Sequence, residues 1–531
     1  MAQSQKKQSF LGGAAVLAAG TVIVKLIGAL FKIPLYGILG EAGAADFYNA
    51  YSIYAALLTI STAGLPVALS KMVSEANALQ RHRQADKIFR VAFMAFLTMG
   101  LISFVAMFFG NDVLADMLNN PRAALGIRTL APAVVCVGCL AAFRGYAQGH
   151  SNMTPTAVSQ IIEAVCKLAI GLGLAAWLLQ LGRSDTEAAA GAIFGVTVGT
   201  VLALAYIALD FWRGRRRAVR VSGSEETESS GVILKKLLAI AVPITLSSSM
   251  VSIITLVDTS IVQGRLQSAL GYTLDQVRVL YGTYSSCMNL YNLPSSFMAA
   301  LTASVIPSVS SALACRDGQQ AARITNSALR VTALLAFPMG LGLWALATPI
   351  MQMLYPSYDS SLGGPLLAVL GIASIFVCLT LLSNSILQAN GYISLPVVTM
   401  LVGGLLKIFA NYNLVAIPEM NIHGAPIGTM ICFGVPAVLN LLIIRRKIPN
   451  PPPYLKIFLK PLLASLLMAF SAKGFYALCS NFLGNRLSLL VSIGGAVCVY
   501  GVLVLALRIL TREDLLLLPK GGKIAKILHI N

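Results

Sequence analysis

Charge is scarce in this sequence. Asp, Glu, Lys and Arg make up 11% of its 531 residues, against about 25% in an ordinary soluble chain. That shortage excludes a water-soluble globular protein, and with it disordered and collagen-like chains. Histidine is rarer still: His82, His150, His423 and His529 are the only four, with no metal-ligand spacing among them. There is no HExxH helix and no GxxxxGK[ST] loop, so a zinc hydrolase and a nucleotide-driven pump both lack their chemistry. The nine cysteines are scattered, mostly through apolar runs where Cys behaves as a small hydrophobe. Cys136 and Cys139 have CxxC spacing but no second pair, so neither a disulfide framework nor a metal site is implied. No catalytic group, metal or cofactor is expected, and any transport must draw on an ion gradient, the membrane potential or the fate of the substrate.

What is present is apolar: 57% of the residues are hydrophobic. Between residues 10 and 509, runs of spanning length recur about fourteen times, each roughly 20 residues or more. The expected fold is an all-α polytopic membrane protein with about 14 transmembrane helices. The first run follows Lys6 and Lys7 but is far longer than a signal-peptide core, which reads as a retained span. One long polar stretch, RGRRRAVRVSGSEETESSG, follows the sixth run and reads as a linker. Around it the chain resembles itself. Pro66 recurs as Pro307, Gln148 as Gln388 and Lys167 as Lys407, each about 240 residues on. Six spans and an inside linker bring the second six back in the same orientation, so the two lobes should be parallel and pseudo-symmetric. The expected divisions are an N-lobe at 1–212, a cytoplasmic linker at 213–234, a C-lobe at 235–447, and two extra helices with a basic tail at 448–531.

Net charge is +19, from 39 basic and 20 acidic residues. The basic residues gather in Lys71–Arg90, Arg213–Arg220, Arg445–Lys460 and Arg512–Lys526. By the positive-inside rule these segments face the cytoplasm and anionic lipid rather than nucleic acid. Both termini are then expected in the cytoplasm of a bacterial cell, with a multi-pass chain in its cytoplasmic membrane.

Charges within spans carry the functional signal, because each costs roughly 2.5–3.5 kcal/mol at the bilayer centre. Lys25 and Lys32 lie seven residues apart on one face of the first helix and could form a cationic wall for a phosphate; Lys32 could instead snorkel to the headgroups. Glu163 and Lys167 are spaced i, i+4, with Gln160 on the same face. They read either as a self-neutralising pair or as the lining of a polar cavity. Asp46, at the mouth of the second helix, is an interfacial N-cap or a gate partner for a first-helix lysine. Ser248, Ser252, Thr255 and Thr259 form a stripe beside Asp258, and Ser285, Asn289 and Asn292 form another; such stripes line cavities or join helices. Lys407 and Lys473 are further buried cations.

The stretches GTVIVKLIGALFKIPLYGILG (20–40), FRGYAQGHSNMTPTAVSQIIEAVCK (143–167), YGTYSSCMNLYNLPSSFMAALTASVIPSVSSALA (281–314) and LQANGYISLPVVTMLVGGLLKIFANYNLV (387–415) resemble the stage V sporulation protein B group of oligosaccharide flippases. That group lies in the multidrug/oligosaccharidyl-lipid/polysaccharide exporter superfamily, as do the MurJ-type lipid II flippases. The resemblance implies two six-helix lobes about a central cavity, alternating access, and a lipid-linked cell-wall sugar as substrate. It also implies a lipid-tail groove beside the two extra helices. Lys25, Lys32 and Asp46 match the MurJ-type pattern approximately. An arginine late in the second helix is replaced by apolar residues near Leu58, and a charged pair on the eighth by Asn289 and Asn292.

The function expected is a flippase moving a polyprenyl-diphosphate-linked oligosaccharide, lipid II first among them, from the inner to the outer leaflet. Another lipid-linked polysaccharide is the nearest alternative, then a cation-coupled drug exporter. A membrane glycosyltransferase would need paired carboxylates on a large outer loop, and Asp112, Asp116, Asp185, Asp275 and Asp359 form no such pair. A scaffold for sporulation or division is a further alternative, with cell-wall synthesis proteins as candidate partners.

Overall fold

The computed structural model of the protein describes residues 10–62, 64–150, 152–217, 227–392, 394–507 and 509, with Lys25 and Ser248 among those described by backbone alone. Residues 218–226 of the expected linker and 510–531 of the basic tail lie outside this set. The described residues contain no strand, and the all-α class stands.

The chain folds into two compact units. One comprises residues 1–267 and 272–282, the other 268–271 and 283–531. The first unit holds α1 (Phe10–Thr62), α2 (Leu65–Ala78), α3 (His82–Phe109), α4 (Asn111–Met117), α5 (Ala124–Gly149), α6 (Thr154–Cys166), α7 (Leu172–Gln180) and α8 (Asp185–Arg217). It also takes α9 (Ser230–Ser268) and the first turns of α10 (Leu274–Ala314). The repeat boundaries and the packing boundaries therefore differ over residues 235–282. Ile233, Leu237 and Ala241 of α9 are buried with Leu69, Val73, Phe89 and Phe96, and this apolar face fixes α9 to the first unit.

Helix α1 carries two of the expected spans, broken at Gly40, whose φ of 68° lies in the left-handed region that suits glycine. The break between α1 and α2 has another cause. A Cβ on Gly64 would lie 2.0 Å from the Ala241 carbonyl oxygen, and the Gly64 amide donates to Thr245 Oγ1 at 3.2 Å. Pro66 then opens α2, where its missing N–H is harmless. Between α6 and α7 the chain passes through a π-helical turn over Lys167–Gly171. Beside it, a Cβ on Gly195 of α8 would lie 2.4 Å from the Gly171 nitrogen, the close backbone approach that small residues permit in membranes.

The second unit continues α10 and adds α11 (Gly318–Ala345), α12 (Ala347–Leu354), α13 (Ser360–Ala389), α14 (Ser394–Leu414), α15 (Gly424–Lys447), α16 (Tyr454–Cys479) and α17 (Asn485–Ala506). Phe337, Ile375, Leu379, Met468 and Leu489 form its core, which places the two helices outside the repeat against α11 and α13. Asp317 and Asp359 cap α11 and α13 by accepting the Gln320 and Ser361 amides.

Among the described residues, eleven helical segments are long and apolar enough to cross a membrane, with Leu30–Ala78 counted as one. The helices α9 and α10 are 39 and 41 residues long but are not among the eleven. Each nevertheless carries an uncharged apolar run of spanning length, residues 237–254 in α9 and 297–314 in α10. Large apolar side chains such as Phe109, Leu405, Phe409, Leu455, Phe470 and Phe482 are exposed, as a lipid-facing surface requires.

Candidate functional site

The first unit holds half-buried charges along α1, along α6 and in the turn that follows α6. On α1, Phe31, Phe47, Tyr51 and Tyr54 form an aromatic ladder with ring centroids 5.7–6.0 Å apart. Lys32 places its Nζ 5.2 Å from the Tyr51 centroid. From α6, Lys167 Nζ lies 5.5 Å from the same ring and 5.1 Å from that of Phe31. Neither lysine has a carboxylate within ion-pairing distance among the described residues. Cation–π contact contributes about 0.5–2 kcal/mol per cation, which offsets only part of the cost of holding an ammonium group in a span. Two cations on one aromatic platform have capacity left for an anion.

One turn before Lys167, Glu163 does not pair with it. Its partner is Arg144 on α5, with Nη2 to Oε2 at 3.2 Å, while the same guanidinium donates from Nε to Ser159 Oγ at 3.0 Å. The intrahelical account of Glu163 and Lys167 is thereby corrected. The aromatic ladder draws the lysine, where the helix widens into its π-turn, and a neighbouring helix supplies a better-placed cation. Arg144 and Glu163 are 16% and 26% exposed and border a cleft of about 240 Å³, lined also by Tyr54, Leu58, Gln148, Thr156 and Gln160.

Asp46 is neither an N-cap nor exposed. It is 2% accessible, inside α1 beyond the Gly40 break. Its Oδ1 accepts from Arg278 Nε at 3.0 Å and Asn120 Nδ2 at 2.9 Å, and its Oδ2 accepts from Arg278 Nη2 and, at 2.8 Å, from Thr186 Oγ1. Arg278 Nη1 also donates to Asp275 Oδ1 at 3.0 Å, and Arg122 pairs with Asp275 at 3.1 Å. Nearby, Asn49 and Gln263 exchange side-chain hydrogen bonds at 3.0 and 3.2 Å, and Tyr281 donates to Thr259 at 3.0 Å. This polar set holds the end of α9 and the first turns of α10 to α1, α5 and α8.

Asp258 is buried on α9 in the first unit. In the second unit Asn289 is buried on α10, Asn292 is exposed and donates to the Met288 carbonyl of its own helix at 2.8 Å, and Lys407 is buried on α14. Lys473, expected to be buried, is exposed and rests its Nζ 3.9 Å from the Trp344 centroid. The side chain of Lys25 lies outside the described residues. Sequence reasoning missed Arg144 and Arg278. The first stands in an apolar run, so the insertion-cost argument that singled out Lys167 applies to it equally; the second sits at the edge of one.

A profile of the polysaccharide biosynthesis protein family matches residues 10–313, and a MatE profile matches residues 243–413. The membrane protein YabM of Bacillus subtilis is 27% identical over 526 residues, covering 97% of this chain and 96% of the relative. Stage V sporulation protein B of the same organism is 22% identical over 520 residues, covering 98% and 99%. Among solved structures, the lipid II flippase MurJ in an inward closed conformation superposes with a TM-score of 0.69 at 15% identity, covering 92% of this chain and 98% of that one. With more than half its length inside one family profile, the chain belongs to the polysaccharide biosynthesis protein family, and its long apolar helices are those of a multi-pass membrane protein.

Proposed function

We propose that the protein flips a polyprenyl-diphosphate-linked oligosaccharide, lipid II first among them, from the inner to the outer leaflet of the bacterial cytoplasmic membrane by alternating access. The observation that carries this reading is the lysine pair on Tyr51. The two Nζ atoms share a ring at 5.2 and 5.5 Å, so they are no more than about 11 Å apart. Charge-assisted hydrogen bonds of about 2.8 Å from each leave up to about 5 Å between the contacted oxygens, a span suited to a diphosphate. With both termini inside, the potential assists outward movement of each negative charge by about 2.3 kcal/mol per 100 mV.

The MatE match supports a second reading, a cation-coupled exporter. An exporter of organic cations needs a carboxylate free to meet its substrate, whereas Asp46 and Glu163 are each held by an arginine. The sporulation-protein relative and the basic site favour an anionic lipid instead, whose glycan cell-wall synthesis proteins would then use.

The test is leaflet accessibility of fluorescent lipid II and of a second lipid-linked oligosaccharide in vesicles holding the purified protein. Lys32→Met with Lys167→Met should slow flipping at least tenfold, while Lys→Arg at both positions should retain most of it. Flipping unchanged by the double Met variant would overturn the reading. Transport of the second lipid alone would reassign the glycan.

A further inference from the structure

We infer that the cleft beside Arg144 and Glu163 is a subsite for one neutral sugar ring, the first residue of the glycan, next to the diphosphate held by Lys32 and Lys167. The inference rests on the proposed function and adds a binding site to it. Thr156, Gln160, Glu163 and Lys167 follow one another at intervals of four, three and four residues, one face of a helix. Glu163 therefore lies about 6 Å along α6 from Lys167. Opposite, Tyr51 and Tyr54 on α1 have ring centroids 5.7 Å apart, one ring at the lysines and the other at the cleft. The cleft and the cationic pair are thus one helical turn apart along α6 and one aromatic ring apart along α1, about the step from a diphosphate to the sugar it carries.

The character of the cleft differs from that of the lysine pair. Arg144 and Glu163 neutralise each other, so the lining carries no net charge and gives a second anion no advantage. What remains is a mixture of donors and acceptors. Arg144 uses Nε and Nη2 in its recorded bonds and keeps further N–H groups; Glu163 engages Oε2 alone. Gln160 has no hydrogen-bond partner among the described residues, and Gln148 reaches Thr156 only at 3.5 Å. Hydroxyl and acetamido groups need such a mixture. A volume of about 240 Å³ is enough for one sugar ring.

The test is binding to the full-length protein in nanodiscs of two probes, undecaprenyl diphosphate and the same lipid bearing one N-acetylhexosamine. The sugar-bearing lipid should bind at least tenfold tighter than the bare one. In Gln148→Ala with Gln160→Ala that ratio should fall to twofold or less, whereas in Lys32→Ala both probes should weaken together with the ratio kept. Thermal unfolding of each variant establishes that it is folded, and Gln160→Glu, which adds a charge without removing bulk, supplies a second variant expected to lose the ratio. Equal affinity for the two probes in the wild-type protein, or a ratio that survives both glutamine variants, overturns the sugar subsite. Failure of the bare lipid to bind the wild-type protein overturns the underlying diphosphate reading instead.

Discussion

Replacing Arg278 with Ala isolates the Asp46 carboxylate where water cannot compensate. Arg278 and Asp46 side chains are 3% and 2% exposed, and removing one member of a buried ion pair typically costs about 3–5 kcal/mol because the other charge stays behind. Asn120 and Thr186 remain as partners of Asp46, but these charge-assisted hydrogen bonds were already made and gain little. The expected loss for Arg278→Ala is therefore about 3 kcal/mol or more. Replacing both members with apolar residues of similar size, Asp46→Leu with Arg278→Met, should recover most of it, giving a coupling energy of at least about 2 kcal/mol. Unfolding in mixed micelles, followed across the wild type, both single variants and the double variant, measures that coupling. A loss below about 1 kcal/mol for Arg278→Ala, or additive effects, would refute the view that this pair fastens the start of α10 to α1.

Gly64→Ala would put a Cβ 2.0 Å from the Ala241 carbonyl oxygen; the variant should unfold more easily by at least about 1–3 kcal/mol, read in the same micelle assay. Gly28→Ala, with nothing within 4 Å of its Cβ, is the neutral control. Asp359→Ala removes the cap of α13, costing about 1 kcal/mol at neutral pH. Bonds from the Ser361 hydroxyl and amide hold the Asp359 carboxyl below the usual aspartate value. The cap is thus complete above that value and lost as pH falls through its lowered pKa, so variant and wild type should converge at acid pH in hydrogen-exchange protection of the first turn of α13. Phe31→Leu removes one of the two rings beneath Lys167 and should weaken anionic-lipid binding severalfold; an unchanged affinity would remove cation–π support from the site.

Much of the architecture was legible because apolar run length alone marks a membrane helix, and most runs appear as helices within a few residues of their expected limits. Lys32, Asp46, Glu163 and Lys167 could be singled out for a related reason: a charge in a span needs a compensating partner. The identity of each partner was not legible. Glu163 meets an arginine 19 positions back on another helix, and Asp46 meets one 232 positions on; nothing local encodes either pairing. The closeness of α9 to the first unit was hidden as well. Its sequence falls in the expected second repeat, while its buried face, through Leu237 and Ala241, packs in the first unit. The π-turn left no mark, since KLAIG carries no Pro and is as apolar as its surroundings.

That turn holds one residue more than an α-helical turn would, so the surfaces before and after it are out of phase by about 100°. An uninterrupted helix would carry the row Thr156, Gln160, Glu163, Lys167 onward through Ile170, Gly171 and Leu174. The surplus residue shifts that register, and Gly171 sits against the backbone of α8 at Ala192, sharing the Phe31 ring with Lys167. One unbroken rod thereby serves two masters, wetted along its first half and tightly seated against its neighbour along the second, with the cation at the seam.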